Sequence, residues 1–480
     1  MASVASVTAD VSPLRASSLY RAVWRWHFYA GLLVLPFLAW LAVTGGAYLF
    51  QREIDGWVHR DLLRVPVAAG AGQPHGAIVA AALAAQPGQW FRYTPAEAPG
   101  DSASVGIATA GGERVAVYVD PATARVLGRL PERGTLSWQI RRLHSLKAIG
   151  PVARGLIEMA AGWAVVLVAT GIYLWWPRGR RGGVVTVRGR PAERVFWRDL
   201  HAVLGLGVGA ILAFLALTGL PWSVFLGAQV NAWANGSHWG YPAGVRVQVP
   251  MSAVPVADTL AVPWSLQQAR VPGPAPVAAP AHEGHEGHDG HAAAPAVPSS
   301  GGGVVATPPL GLDAAMAAFS RLGLAPGFSV AAPQGPAGVY TASAYPRDLA
   351  GQRVVHLDQY SGRVLIDMGY ADYGPVARAL EWGINVHLGQ EYGVANQIVL
   401  AVACAGIVLL CVAGAVAWWK RRPAGRLGVP PLPAQPRALW WVVAIIAVAG
   451  VAMPLLGISL LAMLALDALG QARRSKVEGA

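Results

Sequence analysis

Cysteine is nearly absent from this chain of 480 residues, and charge is scarce. The only two cysteines, Cys404 and Cys411, lie in one apolar stretch. On a helix that spacing puts them about 10 Å apart along the axis, too far for a mutual disulfide. A disulfide scaffold, a cysteine zinc site and a thiolate-held iron–sulfur cluster are therefore excluded. Charged residues make up 13% of the chain, against roughly 25% in ordinary soluble domains. Acidic residues are the scarcer kind, 25 against 37 basic, for a net charge of +12. What fills the chain instead is apolar sequence, 54% of all residues, with 19 tryptophans, several of them at the ends of apolar runs. The two-faced indole suits the lipid–water boundary, so the composition indicates a partner that is a lipid bilayer and not a nucleic acid.

A bilayer crossing needs about 20 apolar residues, and runs of that length occur at Phe28–Phe50, Ala153–Trp176, Val203–Phe225, Val394–Trp419 and Leu439–Leu466. The last has Pro454 at its middle and reads equally as one kinked span or as a pair of short helices. The first is too long and lacks the small-residue cleavage site of a secretory signal, so it is expected to stay as a span. Basic residues cluster before the first span (Arg15, Arg21, Arg25), between the second and third (Arg178 to Arg198) and after the fourth (Lys420 to Arg426). By the positive-inside rule these ends face the cytoplasm, which predicts a multi-pass protein of a bacterial inner membrane with its larger connecting segments in the periplasm. The expected divisions are an N-terminal segment with the first span (1–50), an outside module (51–137), a second span with its lead-in (138–177) and a basic inside loop (178–199). A third span (200–225), a second outside module (226–380), a fourth span with its lead-in (381–419), an inside loop (420–437), a C-terminal apolar segment (438–468) and a tail (469–480) complete the chain.

The chain also repeats itself. Aligning His27 with His201 places Gly31 on Gly205 and Thr44-Gly45 on Thr218-Gly219 without a gap. Aligning His144 with His387 places Gly171 on Gly414 and Trp175-Trp176 on Trp418-Trp419, again without a gap. In the outside segments Asp120-Pro-Ala-Thr123-Ala-Arg125-Val126-Leu127 matches Asp358-Gln-Tyr-Ser361-Gly-Arg363-Val364-Leu365. Two copies of span, module and span entering the membrane in the same sense imply a pseudo-two-fold axis along the membrane normal. The expected fold is a mainly α integral membrane protein with a four-helix transmembrane core, small α+β outside modules and an extra C-terminal span or spans. In each module a short Ala-rich helix (Gly76–Ala85, Leu312–Leu322) precedes strands such as Val115–Val119 and Arg353–Leu357. The second module carries an insert at 271–303, rich in Pro, Ala, Gly, Ser and His, that cannot bury a core and is expected to be disordered.

Of 12 histidines, four fall at matched positions beside spans. His27 and His201 open the outward-going spans and His144 and His387 precede the inward-going ones, giving one pair at each membrane face. Facing imidazoles in a helical bundle are a common way to hold haem iron axially, so the pairs predict two haems b. No Cys-x-x-Cys-His motif is present for covalent attachment. Gly31 and Gly205 lie one turn past their histidines, where a side chain would obstruct a porphyrin plane. Arg25, Arg198, Arg141 and Arg142 are near enough in sequence to pair with propionates. His282, His285, His288 and His291 recur at every third position among Glu and Asp, a composition suited to Cu(II), Ni(II) or Zn(II) in weak, exchangeable sites. Glu158 is the one acidic residue well inside a span, a position that often marks proton or quinone chemistry. His356, in a strand, and His59, His75 and His238 are expected at the surface. No catalytic side chain is marked.

The histidine–glycine and Thr-Gly steps, the Asp-x-x-[Thr/Ser]-x-Arg-Val-Leu turns and the Trp-Trp ends together resemble the PepSY-associated transmembrane helix family over residues from about 20 to 422. That resemblance implies periplasmic PepSY modules between histidine-bearing spans, and it implies electron transfer through two haems to a periplasmic ferric chelate such as a ferric siderophore. No flavin or nicotinamide motif is present, so the donor is expected to be quinol or a cytoplasmic reductase. Two other readings stay open on the sequence: a non-redox copper- or metal-handling membrane protein using the histidine tract, and an interaction or regulatory module of the PepSY type.

Overall fold

The structure, a computed structural model, describes residues 18–67, 72–178, 183–236, 240, 251–273 and 308–478, apart from 261, 268, 337 and 434. In chain order its first half runs α1 (Ser18–Tyr48), α2 (Gln51–Val58), α3 (Arg60–Leu63), α4 (His75–Ala85), β1 (Gln89–Thr94), β2 (Ala103–Ala108), β3 (Arg114–Val119), β4 (Val126–Pro131), α5 (Leu136–His144) and α6 (Pro151–Trp175). There follow α7 (Arg194–Gly219), α8 (Leu226–Gly236), β5 (Met251–Pro255), β6 (Arg270–Pro272), α9 (Leu312–Arg321), β7 (Ser329–Ala331), β8 (Val339–Ala344), β9 (Arg353–Asp358) and β10 (Val364–Gly369). The chain closes with α10 (Pro375–His387), α11 (Gly393–Trp419), α12 (Pro436–Ala452) and α13 (Pro454–Glu478). The protein is mainly helical. Five of its described helices, α1, α6, α7 with the turn that follows it, α11 and α13, are long and apolar enough to cross a membrane.

Two compact units form, one helical (Met1–Gln51, Ser137–Val230, Val386–Ala480) and one built on a sheet (Arg52–Leu136, Asn231–Asn385). In the helical unit α1 and α7 each pack on both α6 and α11, while α12 lies on α1 and α13 on α6. The buried faces meet in one apolar interior that includes Trp26, Ala30, Val34 and Leu38 of α1, Trp163 of α6, Leu212 of α7, Ile407 of α11 and Leu456 and Leu460 of α13. Proline positions set the helix starts. Pro151 and Pro436 occupy first turns, where a missing N–H leaves no bond unmade.

The C-terminal apolar stretch is two helices. Met453, immediately before Pro454, is held in extended backbone with φ −126° and ψ 88°, as the proline ring requires of the residue it follows. The chain turns there and α13 packs back on α12. Gly450 and Gly457 permit the tight turn, because a Cβ on Gly450 would stand 2.7 Å from the Cα of Gly457.

The sheet unit holds one eight-stranded sheet in the order β10-β9-β8-β7-β1-β2-β3-β4, every neighbouring pair antiparallel. A helix and four strands thus occur twice in chain order, and the two sets join edge to edge where Arg92 pairs with Ala331 and Tyr93 with Val330. Thr94 Oγ1 and Ser329 Oγ lie 2.7 Å apart across the same seam. Alternation along the strands assigns the faces. Tyr93, Val105, Ile107, Val330, Ala342, Val355 and Leu357 pack with Ile78 of α4 and Phe319 of α9. Val339, Val354, Ile366 and Met368 point the other way, against Val256, Leu266 and Val271. The matched aspartates perform matched local work: Asp120 accepts from the Ala122 N–H and the Thr123 hydroxyl, and Asp358 from the Tyr360 and Ser361 N–H groups and the Ser361 hydroxyl. Each closes a β-turn by the Asx mechanism.

His356 departs from the surface placement expected of it. It is 2% exposed, with Nδ1 2.9 Å from Thr341 Oγ1 on the neighbouring strand, and burial pulls its pKa down to about 4. Its position in β9, between two other strands, removes it from water. His75 is half-buried against Tyr93 (Nδ1 to Oη 2.8 Å), and His59 Nε2 accepts from the Leu136 N–H at 3.1 Å. His238 and the 274–307 stretch lie outside the described residues.

Candidate cofactor site in the helical unit

Helices α1 and α7 bring His27 and His201 together, their ring centroids 6.5 Å apart and their planes at 82°. Two imidazoles that share one metal ion, each at a bond of about 2 Å, occupy a span of about 6 Å between ring centres, so the observed separation fits that arrangement. His144 and His387 come from the C-terminal ends of α5 and α10 and turn to threonines near the C-terminal ends of α1 and α7 respectively.

Each ring has a fixed partner at Nδ1. His27 Nδ1 lies 2.8 Å from Thr170 Oγ1, His144 Nδ1 2.9 Å from Thr44 Oγ1, and His387 Nδ1 2.9 Å from Thr218 Oγ1. Each threonine hydroxyl also donates to the carbonyl four residues back, Val166, Trp40 and Phe214 respectively, all at 2.7 Å. A hydroxyl has one proton to give. Since that proton goes to the backbone, the threonine oxygen accepts from histidine, and the ring proton must sit on Nδ1. His201 reaches the same state by another route, because its Nδ1 lies 3.1 Å from the Leu410 carbonyl, which can only accept. All four imidazoles are therefore Nδ1–H tautomers with the Nε2 lone pair turned to the outside of that bond. Among the described residues no hydrogen bond engages those Nε2 atoms. This is the state a metal-ligating histidine needs, with the second nitrogen's hydrogen bond fixing both tautomer and ring direction.

Glycine lets the rings seat. A Cβ on Gly171 would stand 3.4 Å from His27 Cε1, and one on Gly414 would stand 3.1 Å from His201 Cε1 and Nδ1. At the other pair a Cβ on Gly45 would stand 3.1 Å from His144 Cε1 and one on Gly219 3.5 Å from His387 Cε1. The arrangement is exchanged between the ends: for one pair α1 and α7 carry histidine and α6 and α11 carry glycine, and for the other α1 and α7 supply the glycines. Gly31 and Gly205 sit elsewhere, beside Leu167 and Leu410. The two sites are set apart by the length of α1, since the rise from His27 to Thr44 is about 26 Å at 1.5 Å per residue.

The lead-ins to α6 and α11 are pinned. Trp40 Nε1 donates to the Leu143 carbonyl at 2.9 Å, and Asn396 Nδ2 to the Val386 carbonyl at 3.0 Å. Gly389, at φ +71°, makes the left-handed turn after His387 that a side chain would strain.

The arginines divide. Arg25, 3% exposed, forms an ion pair with Asp467 of α13 and donates to the Pro430 carbonyl, and Tyr29 donates to the same carboxylate. Arg198 is paired with Asp199 at 2.6 Å, which Arg188 also meets at 2.8 Å. Arg141 lies 4.9 Å over the Trp138 ring, and Arg142 donates to Gln139 at 3.4 Å. Arg25 and Arg198 thus have carboxylate partners within the chain. Glu158 accepts from the Phe225 and Leu226 N–H groups at 2.9 and 3.1 Å, capping α8, which accounts for a buried carboxylate in a span. His282, His285, His288 and His291 lie outside the described residues, and among those described no group of three or more His, Cys, Asp or Glu is placed to hold a metal.

The PepSY-associated TM region family matches residues 24–421, a stretch that contains all four histidines, their threonine partners and the facing glycines. The chain belongs to that family. This PepSY-associated membrane protein carries its α12–α13 pair beyond the matched stretch. No curated protein matches it.

Sequence reasoning passed over the threonines as functional groups, although Thr44 and Thr218 were visible as repeat marks. Thr170 left no such mark. Its counterpart in the repeat is Ala413, and the histidine on that side turns to a backbone carbonyl instead.

Proposed function

We propose that this PepSY-associated protein is a di-haem b electron-transfer protein of a bacterial inner membrane that reduces a periplasmic ferric chelate, a ferric siderophore, for iron acquisition. In this reading two parallel copies of span, PepSY-like module and span enclose a four-helix core. The observation that carries it is the shared protonation state of four imidazoles, each with Nδ1–H committed and Nε2 free. His27 with His201 would hold one haem near the cytoplasmic face, and His144 with His387 would hold the other near the periplasmic face. Bound haem would supply a one-electron carrier at each end of the bundle. Thr170, Thr44, Thr218 and the Leu410 carbonyl hold the ring protons and orient the ligands. Gly171, Gly414, Gly45 and Gly219 give the rings their seats, and the apolar interior around Trp26 and Leu38 keeps water away. Electrons would come from quinol or a cytoplasmic reductase. One electron converts Fe(III) to Fe(II), which hard oxygen ligands hold less firmly, so the iron is released.

The test is the absorbance of the purified full-length protein. A Soret band with a sharp reduced α-band of b type and two haems per chain is expected, falling to one when His27 and His201 are both replaced by Ala. A protein with no Soret band after expression in haem-replete cells sinks the proposal, and a haem count that survives the double replacement overturns the ligand assignment.

A further inference from the structure

Near His27 lies a cation with no acceptor among the described residues. Arg421 follows α11 directly, about 10 Å along the helix axis from Gly414, and its guanidinium lies 5.1 Å from the ring centroids of both Trp24 and Phe28. Those two aromatics flank His27 on α1. The aromatic contacts hold the planar group in place and leave the five N–H donors at its edge. Among the described residues the guanidinium takes no hydrogen bond or ion pair. Burial pulls its pKa down, and the charged group that adds to this is another cation, Arg194 at the start of α7.

Four other cations at this end of the helices are committed. Arg25 is held by Asp467, Arg198 and Arg188 share Asp199, and Lys420 Nζ donates to the Ala192 carbonyl at 2.8 Å. A half-buried guanidinium coupled to a second cation and lacking a carboxylate is an unmet demand for an anion. It stands where the helix of His27 meets the helix that seats His201.

We infer that Arg421, with Arg194 beside it, is an anion-binding site that takes a haem propionate carboxylate at the His27–His201 pair. The inference rests on the di-haem reading. It assigns the charge-neutralising role to residues other than Arg25 and Arg198. The guanidinium fork matches a carboxylate through two parallel N–H···O bonds, and the adjoining positive charge favours the reduced, more electron-rich state of the group it holds. The competing source of an anion at this depth is a lipid phosphate.

The experiment uses the full-length protein in nanodiscs of zwitterionic lipid, comparing Arg421→Ala, Arg421→Lys and Arg194→Ala with the unaltered chain for haem content and for the midpoint potential of each haem. Arg421→Ala is expected to weaken retention of the haem at His27–His201 about tenfold and to lower its midpoint, with the His144–His387 haem unmoved. Arg421→Lys, which keeps the charge and loses the fork, should recover part of both effects, and Arg194→Ala should lower the midpoint with less loss of haem. The paired His27→Ala, His201→Ala variant is run alongside. If that variant loses one haem while Arg421→Ala leaves retention and midpoint unchanged, the assignment is overturned and the di-haem reading stands. If Arg421→Ala acts only in discs of anionic lipid, the cation serves an anionic lipid headgroup and the assignment is equally overturned. If the histidine variant loses no haem, the ligand assignment of His27 and His201 falls and the assignment of Arg421 falls with it.

Discussion

Thr218 illustrates how one side chain can settle the chemistry of another. Its hydroxyl proton goes to the Phe214 carbonyl and its oxygen accepts from His387, so a residue with no affinity for iron determines which imidazole nitrogen is basic. Thr218→Val keeps the shape and removes the acceptor, leaving an Nδ1–H unsatisfied at a cost of about 1–3 kcal/mol. Haem affinity at that site is expected to fall by about 10- to 100-fold, as read by haem titration of the apo-protein, and Thr218→Ser should restore most of it. A second residue-scale expectation concerns His356. Burial holds it neutral in the fold, with its pKa brought down from 6.5 to about 4, so the unfolded chain binds the proton more tightly than the folded one. Stability from this group is fully present above pH 6.5. It declines as the pH falls toward 4, by about 3 kcal/mol at most. Denaturant unfolding of the sheet unit across that window should show a pH-dependent loss in the parent protein that His356→Gln lacks, and equal slopes for the two proteins would contradict the assignment.

At the scale of elements, the α12–α13 pair is tied to α1 by one carboxylate. Asp467 receives Arg25 and Tyr29, the residues two before and two after His27, and Gln471 Nε2 at 3.0 Å. Trp163 Nε1 adds a bond to Ser459 Oγ at 2.8 Å from the α6 side. Arg25 and Asp467 side chains are 4% and 9% exposed, so removing one leaves a buried charge unpaired, which costs about 3–5 kcal/mol. Asp467→Ala is therefore expected to loosen α13 from α1. Faster hydrogen exchange in residues 454–472 and at the start of α1, with the sheet unit unaffected, would register it. The apolar pattern alone left this stretch open between one kinked span and two helices. The choice depended on whether the chain after Pro454 had a surface to return to, and α6 with Gly155 and Gly162 facing Leu455, Met453 and Leu456 provides it.

Across the whole molecule, the two β-rich stretches are one sheet. Each has a helix and four strands of its own, and the β1–β7 seam makes a single core of both, with α4 and α9 on the same face. A cysteine pair at Thr94 and Ser329, whose hydroxyl oxygens are 2.7 Å apart, should form a disulfide under mild oxidation, detectable by peptide mass spectrometry. Failure to cross-link would show that the seam is open in solution. The helical placement, the matched histidines and the helix-plus-strand content were legible because membrane spans and strands write their burial directly into the residue pattern. The seam was not legible. Strand edges carry the same backbone donors and acceptors whatever the sequence, so nothing in the residues of β1 or β7 named the other as partner.

The sequence by itself determined the class of this protein, the first four of its long apolar helices and the four histidines at its span ends, because those features follow from composition, length and spacing along one chain. Only the tertiary structure decided which group fixes each imidazole, which arginines are already paired, that Glu158 caps a helix and that His356 is buried. Each of these depends on a hydrogen bond or ion pair between residues far apart in sequence, or on a neighbouring element that shuts out water, and neither leaves a periodic trace in the chain.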